Sequence, residues 1–198
     1  MRARLALLAS DIEYEHREVV LRDKPADMLT ASPKGTVPVL VLPSGQVIDQ
    51  SLDIMLWALR QNDPFHWLEN EDSALKMIAQ CDGDFKFHLD RYKYPNRYEG
   101  ANAIDHRTQA AEFAAQINAH LGQNYYNFNS CSGIYYAGYM TFLRQFANTD
   151  KAWCAAQPWT SLQTMLASFE ASREFKTIMQ TYVPWQAGAE AVIVNSAK

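Results

Sequence analysis

The residues best placed to do chemistry fall in one stretch, Ser32 to Trp57, which holds Lys34, the pair Val37-Pro38 and the polar trio Asp49-Gln50-Ser51. Behind the trio, Leu52, Met55, Leu56 and Leu59 recur at i, i+3, i+4, i+7, the spacing of a helix face, with Asp49 and Ser51 as candidate N-caps. The trio therefore sits at a helix N-terminus. The first N–H groups of a helix lack internal partners and the macrodipole is positive there, so a ligand carboxylate can be held. A cis bond at Pro38 would turn the Val37 backbone outward to pair with an extended peptide as a further strand. Only about 5–6% of X–Pro bonds are cis, so trans is what the sequence by itself favours. Lys34 offers a cation to an anionic ligand, and a lysine in a polar turn is equally often only solvated.

Other reactive types are scattered. Cys81, Cys131 and Cys154 are widely spaced with no Cys-x-x-Cys pair, which supports neither a disulfide framework nor a metal site, and they read as free thiols filling the core. His16, His66, His88, His106 and His120 show no metal or triad spacing, and packing or solvent contact explains each.

The elements that must hold the site are legible around it. Pro33 and Gly35 mark a turn, Val39 to Leu42 is a short apolar run, Pro43-Ser44-Gly45 reverses the chain, and Gln46-Val47-Ile48 returns as a second strand. Upstream, Arg2 to Ser10 is helix-like with Leu5, Leu8 and Ala9 on one face, although it lacks a cap and opens on cations. Glu13 to Leu21 is expected as an edge strand and Lys24 to Leu29 as a short helix with proline in its first turn. Gln61-Asn62-Asp63-Pro64-Phe65 then breaks the chain as a linker. Beyond it the pattern is helical: Glu71 to Tyr92 with Gly83 as a weak point, Ala103 to Leu121 closed by Gly122, Ile134 to Phe146, Trp159 to Phe169 and Ser172 to Met179. The tail after Trp185 is expected to be loosely held.

With 198 residues and 48% hydrophobic content the chain can bury a core in one domain or two small ones. A net charge of −4 with scattered Lys and Arg gives no footprint for nucleic acid. No apolar stretch reaches the roughly 18 residues of a membrane span, and no secretory signal is recognised, so the expected compartment is the cytoplasm.

Lys-Gly-Thr-Val-Pro-Val-Leu followed by Ile-Asp-Gln-Ser resembles the glutathione site of cytosolic glutathione transferases, where this proline is cis. The likeness extends more weakly over nearly the whole chain. It implies a thioredoxin-like N-terminal domain over residues 1–62, an all-helical C-terminal domain over 68–188, glutathione as cosubstrate and no metal. It also implies Lys34, Val37, Pro38, Gln50 and Ser51 as the glutathione-binding residues. Gln50 stands where the family more usually has Glu and brings no charge to the γ-glutamyl ammonium. Phe142 to Trp153 resembles the helical domain of bacterial transferases, whose corresponding helix starts on Ser or Thr with Asp three residues later; here Gly133 and Tyr136 hold those positions, and a capping box cannot form. Tyr92, Tyr94 and Tyr98 are candidates to line a hydrophobic substrate cleft.

Against the family pattern the first strand is missing, and with it the Tyr, Ser or Cys that stabilises the glutathione thiolate. Met1 to Leu5 resembles the continuation of a pattern in which Cys-Pro-Tyr-Ala leads into an Arg-containing helix, so Met1 is expected to be an internal methionine. No catalytic residue is assigned in this chain. The expected function is glutathione binding and, when the chain is complete, that of a glutathione-dependent transferase or thiol transferase, acting on a small hydrophobic or disulfide substrate, with a homodimer as the common family arrangement. The alternative is a binding or regulatory protein that keeps the transferase shape without turnover.

Overall fold

A computed structural model describes residues 1–122 and 127–194. The chain divides into two compact units. Met1–Pro64 and the described residues from Glu174 onward form the first, and Phe65–Arg173 form the second.

The first unit opens with helix α1 (Arg2–Ala9), packed on α3 (Ser51–Gln61). The expected single apolar face is not what forms. Ala3, Leu5, Ala6, Leu7 and Ala9 are all buried, and so is Arg2, so the helix is enclosed nearly all round. Its C-terminus is tied to the end of α3, where Asn62 Nδ2 donates to the Ser10 carbonyl at 3.1 Å. On α3 the buried residues are Ile54, Met55, Ala58 and Leu59, while Leu52 and Leu56 remain partly exposed. The face is rotated from the expected one because Ile54 and Ala58, not Leu52 and Leu56, turn inward.

Strands β2 (Leu40–Val41) and β3 (Val47–Ile48) pair antiparallel, Leu40 opposite Ile48 and Val41 opposite Val47. Gly45 closes the hairpin at φ 85°, a left-handed conformation that glycine adopts freely, and donates to the Leu42 carbonyl at 2.8 Å. The long edge strand expected over Glu13 to Leu21 is much shorter: β1 is Tyr14–Glu15. Its partner is β4 (Ile193–Val194), antiparallel, with an isolated bridge from Glu18 to Pro184. The tail after Trp185 is thus pinned by main-chain pairing, which a two-residue strand without turn signals does not announce. Helix α2 (Ala26–Ala31) follows Pro25, its N-cap. Among the described residues the two hairpin strands and the β1–β4 pair belong to separate two-stranded sheets.

The second unit is helical. Helices α4 (Glu71–Gln80) and α5 (Lys86–Lys93) are joined by a π-helical turn, Cys81–Phe85, in which Gly83 leaves helical geometry at φ −86°, ψ −105°. Gly83 is the break that the periodicity indicates. Helix α6 (Ala103–Leu121) ends on Gly122, which has right-handed φ and ψ in place of the left-handed glycine cap. Helix α7 (Gly133–Thr149) is followed by α8 (Lys151–Ala155) and α9 (Thr160–Ala171), and α10 (Arg173–Ile178) returns to the first unit. Gly133 is the first residue of α7, not its cap. Ser132 occupies the cap and makes no side-chain capping bond, so the capping box is absent as expected. Phe85, Phe113, Phe146, Trp159 and Tyr139 build the aromatic core. Cys81 and Cys154 are buried fillers, whereas Cys131 is only partly buried.

Candidate functional site

The hairpin and α3 assemble the candidate site. Antiparallel register sets Leu40 opposite Ile48, and beyond the open end of this hairpin the chain continues as Val37-Pro38 on one side and Gln50-Ser51 on the other. The Val37–Pro38 peptide is cis, as the resemblance implies, and Val37 is 49% exposed. Gln50 is the N-cap of α3 in extended conformation and Ser51 is its first residue, so neither Asp49 nor Ser51 is the cap. The Gln50 side chain makes no capping bond.

Asp49 has a different task. Its carboxylate accepts from Ser32 Oγ at 2.8 Å and from Lys34 Nζ at 2.9 Å. Hydrogen bonds from Lys34 and then Ser32 hold this carboxyl below the usual carboxylate range. The pairing clamps the turn before the hairpin against the start of α3, and it engages the Lys34 ammonium within the protein. Sequence spacing gives no sign of it, because the partners are 17 and 15 residues apart. Gly35, at φ 61°, completes that turn, and a Cβ there would come within 3.2 Å of Leu29 Cδ2.

Tyr92, Tyr94 and Tyr98 do not form one aromatic wall. Tyr92 is buried in the core of the second unit beside Phe146, and burial and Asp150 push its phenol upward. Tyr94 is flanked by Lys93 and Arg97 at 5.0 and 4.1 Å, and Arg91 lies 4.3 Å over Tyr98 and 3.4 Å over Phe87. These rings are committed to cation–π contacts. Among the described residues no group of three or more His, Cys, Asp or Glu could hold a metal ion, and no helix is long and apolar enough to cross a membrane.

The chain thus carries a small α/β unit, with a proline hairpin and a helix N-terminus, ahead of an all-helical unit. Residues 1–61, which contain the whole candidate site, match the family model described as Glutathione S-transferase, N-terminal domain. Solved structures of the same fold span most of the chain. A glutathione transferase family member from Pseudomonas fluorescens pf-5, with two glutathione bound, is 14% identical at a TM-score of 0.72, over 88% of this chain and 85% of that one. A glutathione S-transferase from Methylobacillus flagellatus kt, with glutathione bound, is 18% identical at 0.71, over 88% and 91%. A glutathione transferase from Pseudomonas putida, with one glutathione disulfide bound per subunit, is 13% identical at 0.68, over 88% and 84%. At such identities the likeness establishes the fold: a thioredoxin-like domain followed by an all-helical one. No curated protein matches significantly.

Proposed function

We propose that this chain binds glutathione with Lys34, Val37, Pro38, Gln50 and Ser51, and acts as a glutathione-dependent transferase or thiol transferase on a small hydrophobic or disulfide substrate. The Val37 main chain pairs with the peptide-like cysteinyl portion of glutathione as a strand would. The γ-glutamyl carboxylate lies against the first N–H groups of α3 and accepts from the Ser51 hydroxyl, while the Gln50 amide oxygen accepts from the ammonium. Lys34, shared with Asp49, contributes to a glycyl carboxylate through solvent. The observation that carries this function is the match of residues 1–61 to the glutathione transferase N-terminal domain, together with glutathione bound in structures of the same fold.

A second function is favoured by one feature of the site. Gln50 is neutral and Lys34 is engaged by Asp49, so the site offers less charge to its ligand than a full carboxylate and a free cation would. A binding or regulatory protein tolerates that loss. Calorimetric titration with glutathione tests both. Ser51→Ala and Gln50→Ala are each expected to weaken binding by about 1–3 kcal/mol, the scale for unpairing a bond to a charged group. Parent-like binding by both variants places the ligand elsewhere. Turnover of a glutathione mixed disulfide or an aryl halide by the same preparation supports the enzyme, and binding with no turnover supports the second function.

A further inference from the structure

Two lysines reach the turn that leads into Val37, and they are engaged differently. Lys34 Nζ donates to Asp49 Oδ1 at 2.9 Å, an ion pair in which each charge neutralises the other. Lys24 immediately precedes Pro25, the N-cap of α2, and its side chain runs past Gly35. A Cβ at Gly35 would come 3.6 Å from Lys24 Cδ and 3.7 Å from its Nζ. Lys24 is partly buried, and among the described residues its ammonium has neither an ion-pair nor a hydrogen-bond partner. Arg17 and Asp27, the nearby charges of opposite sign, lie 3.9 Å from each other. We infer, on the reading that Val37 and Ser51 hold glutathione, that Lys24 is the residue that pairs with the glycyl carboxylate, and that Lys34 acts only from a distance, by neutralising Asp49.

Reach permits the contact. Gly35 and Val37 are two residues apart, so their Cα atoms lie no more than about 7 Å from each other. The glycyl residue follows the cysteinyl residue that pairs with Val37 by one strand step of about 3.3 Å. With the γ-glutamyl end at α3, the glycyl end is left to the Gly35 turn, where the Lys24 ammonium offers three donors on a flexible stem. Charge decides between the two lysines. A carboxylate drawn to Lys34 also meets Asp49, and the attraction and repulsion of two opposite charges so close together largely cancel beyond the pair. Asp49 is further anchored by Ser32 Oγ, which donates to it at 2.8 Å. A carboxylate drawn to Lys24 meets a lone cation. Deleting Lys34 therefore does more than remove a positive charge, because it uncovers the Asp49 carboxylate beside an anionic ligand.

Calorimetric titration of the full chain at low ionic strength, with glutathione and with its monoethyl ester in which the glycyl carboxylate is blocked, tests the assignment. Lys24→Ala is expected to weaken glutathione binding about three- to fivefold, the upper part of the range for a partly exposed ion pair, and to leave ester binding unchanged. Unchanged ester binding also shows that the variant is folded. The parent is expected to bind the ester more weakly than glutathione by the same factor. Arg22→Ala removes an exposed cation two residues away and is expected to match the parent, which separates a contact from general charge. Lys34→Ala is expected to weaken glutathione binding, and Lys34→Ala combined with Asp49→Asn to restore it. A combined variant as weak as Lys34→Ala alone means that Lys34 itself touches the ligand, and overturns the inference. So does a Lys24→Ala chain that binds glutathione as the parent does, or that loses glutathione and ester alike. Binding of neither ligand by the parent overturns the reading of the site itself, and the inference with it.

Discussion

Gly133 has no side chain because a Cβ there would overlap the Trp67 indole at Nε1 and Cε2. Trp67 cannot retreat: it is fully buried, its Nε1 donates to the Phe128 carbonyl at 2.9 Å, and its ring meets Phe128 edge-on. Gly133→Ala is therefore expected to cost about 1–3 kcal/mol or more as overpacking in a core without slack, read as a lower denaturant midpoint. Gly138→Ala meets Cγ1 and Cδ1 of Ile78, both at 2.6 Å; Ile78 is fully buried and, being β-branched in a helix, has little freedom to turn, so this substitution too is expected to cost about 1–3 kcal/mol. A glycine standing where the family usually has a capping residue reads, from sequence, as a weak cap. The reason for it is a tryptophan far away in the chain. At Asp49 the residue scale also sets a pH dependence. Its folded pKa is depressed by Lys34 and Ser32, so the stability it contributes is present above the unfolded value, near 3.9, and is lost as pH falls through the folded value. Denaturation midpoints of parent and Asp49→Asn are expected to differ by a constant amount above about pH 5 and to converge on acidification. A gap that widens with acid contradicts the clamp.

Elements were legible where their signals are local. Gly83 marks the break between α4 and α5 because a residue without Cβ both weakens a helix and admits the non-helical ψ seen there. The β2–β3 hairpin follows from Pro43-Ser44-Gly45, whose glycine supplies the positive φ of the turn. What escaped was set by neighbours: the rotation of α3, fixed by packing on α1, and the all-round burial of α1. One local device, the Asn102 cap of α6, is not among the sequence expectations. Its Oδ1 accepts from the Ile104 and Asp105 amides at 2.9 and 3.4 Å, satisfying donors that the helix cannot. Asn102→Ala is expected to destabilise the protein by about 0.5–2 kcal/mol, whereas Asn102→Asp, which keeps the acceptor and adds a charge favourable to the dipole, is expected to hold or raise stability. Thermal melts of the two variants beside the parent separate a capping role from a merely polar one. Equal losses in both count against capping.

At the scale of the whole molecule, the first unit is completed by the far end of the chain, a pairing no local pattern carries. His16 N donates to the Val192 carbonyl and Trp185 N to the Glu18 carbonyl, each at 2.8 Å, while Tyr14 and Glu15 face Val194 and Ile193 in the β1–β4 ladder. Side chains follow the backbone: Tyr182 stacks with His16 at 4.4 Å, Arg4 lies over Tyr182, and Arg17 lies 4.6 Å over Trp185. The tail after Trp185 reads as loose from composition because Gln186-Ala187-Gly188-Ala189-Glu190 is small or polar. Main-chain bonds hold it, and they do not depend on which side chains it carries. A chain ending at Met179 is therefore expected to lose at least about 1–3 kcal/mol of local stability in the first unit, the scale for the His16–Val192 and Trp185–Glu18 bonds alone, with the β1–β4 ladder lost besides. Amide hydrogen exchange reads this directly. The His16 amide is expected to exchange faster in the shortened chain and α1 to lose protection with it, while α6 in the second unit stays as slow as in the parent. Because β1 is then an open edge with unpaired N–H and C=O groups, the shortened chain is also expected to associate at concentrations where the parent does not. Unchanged protection at His16 would show that the tail rests on β1 without stabilising it.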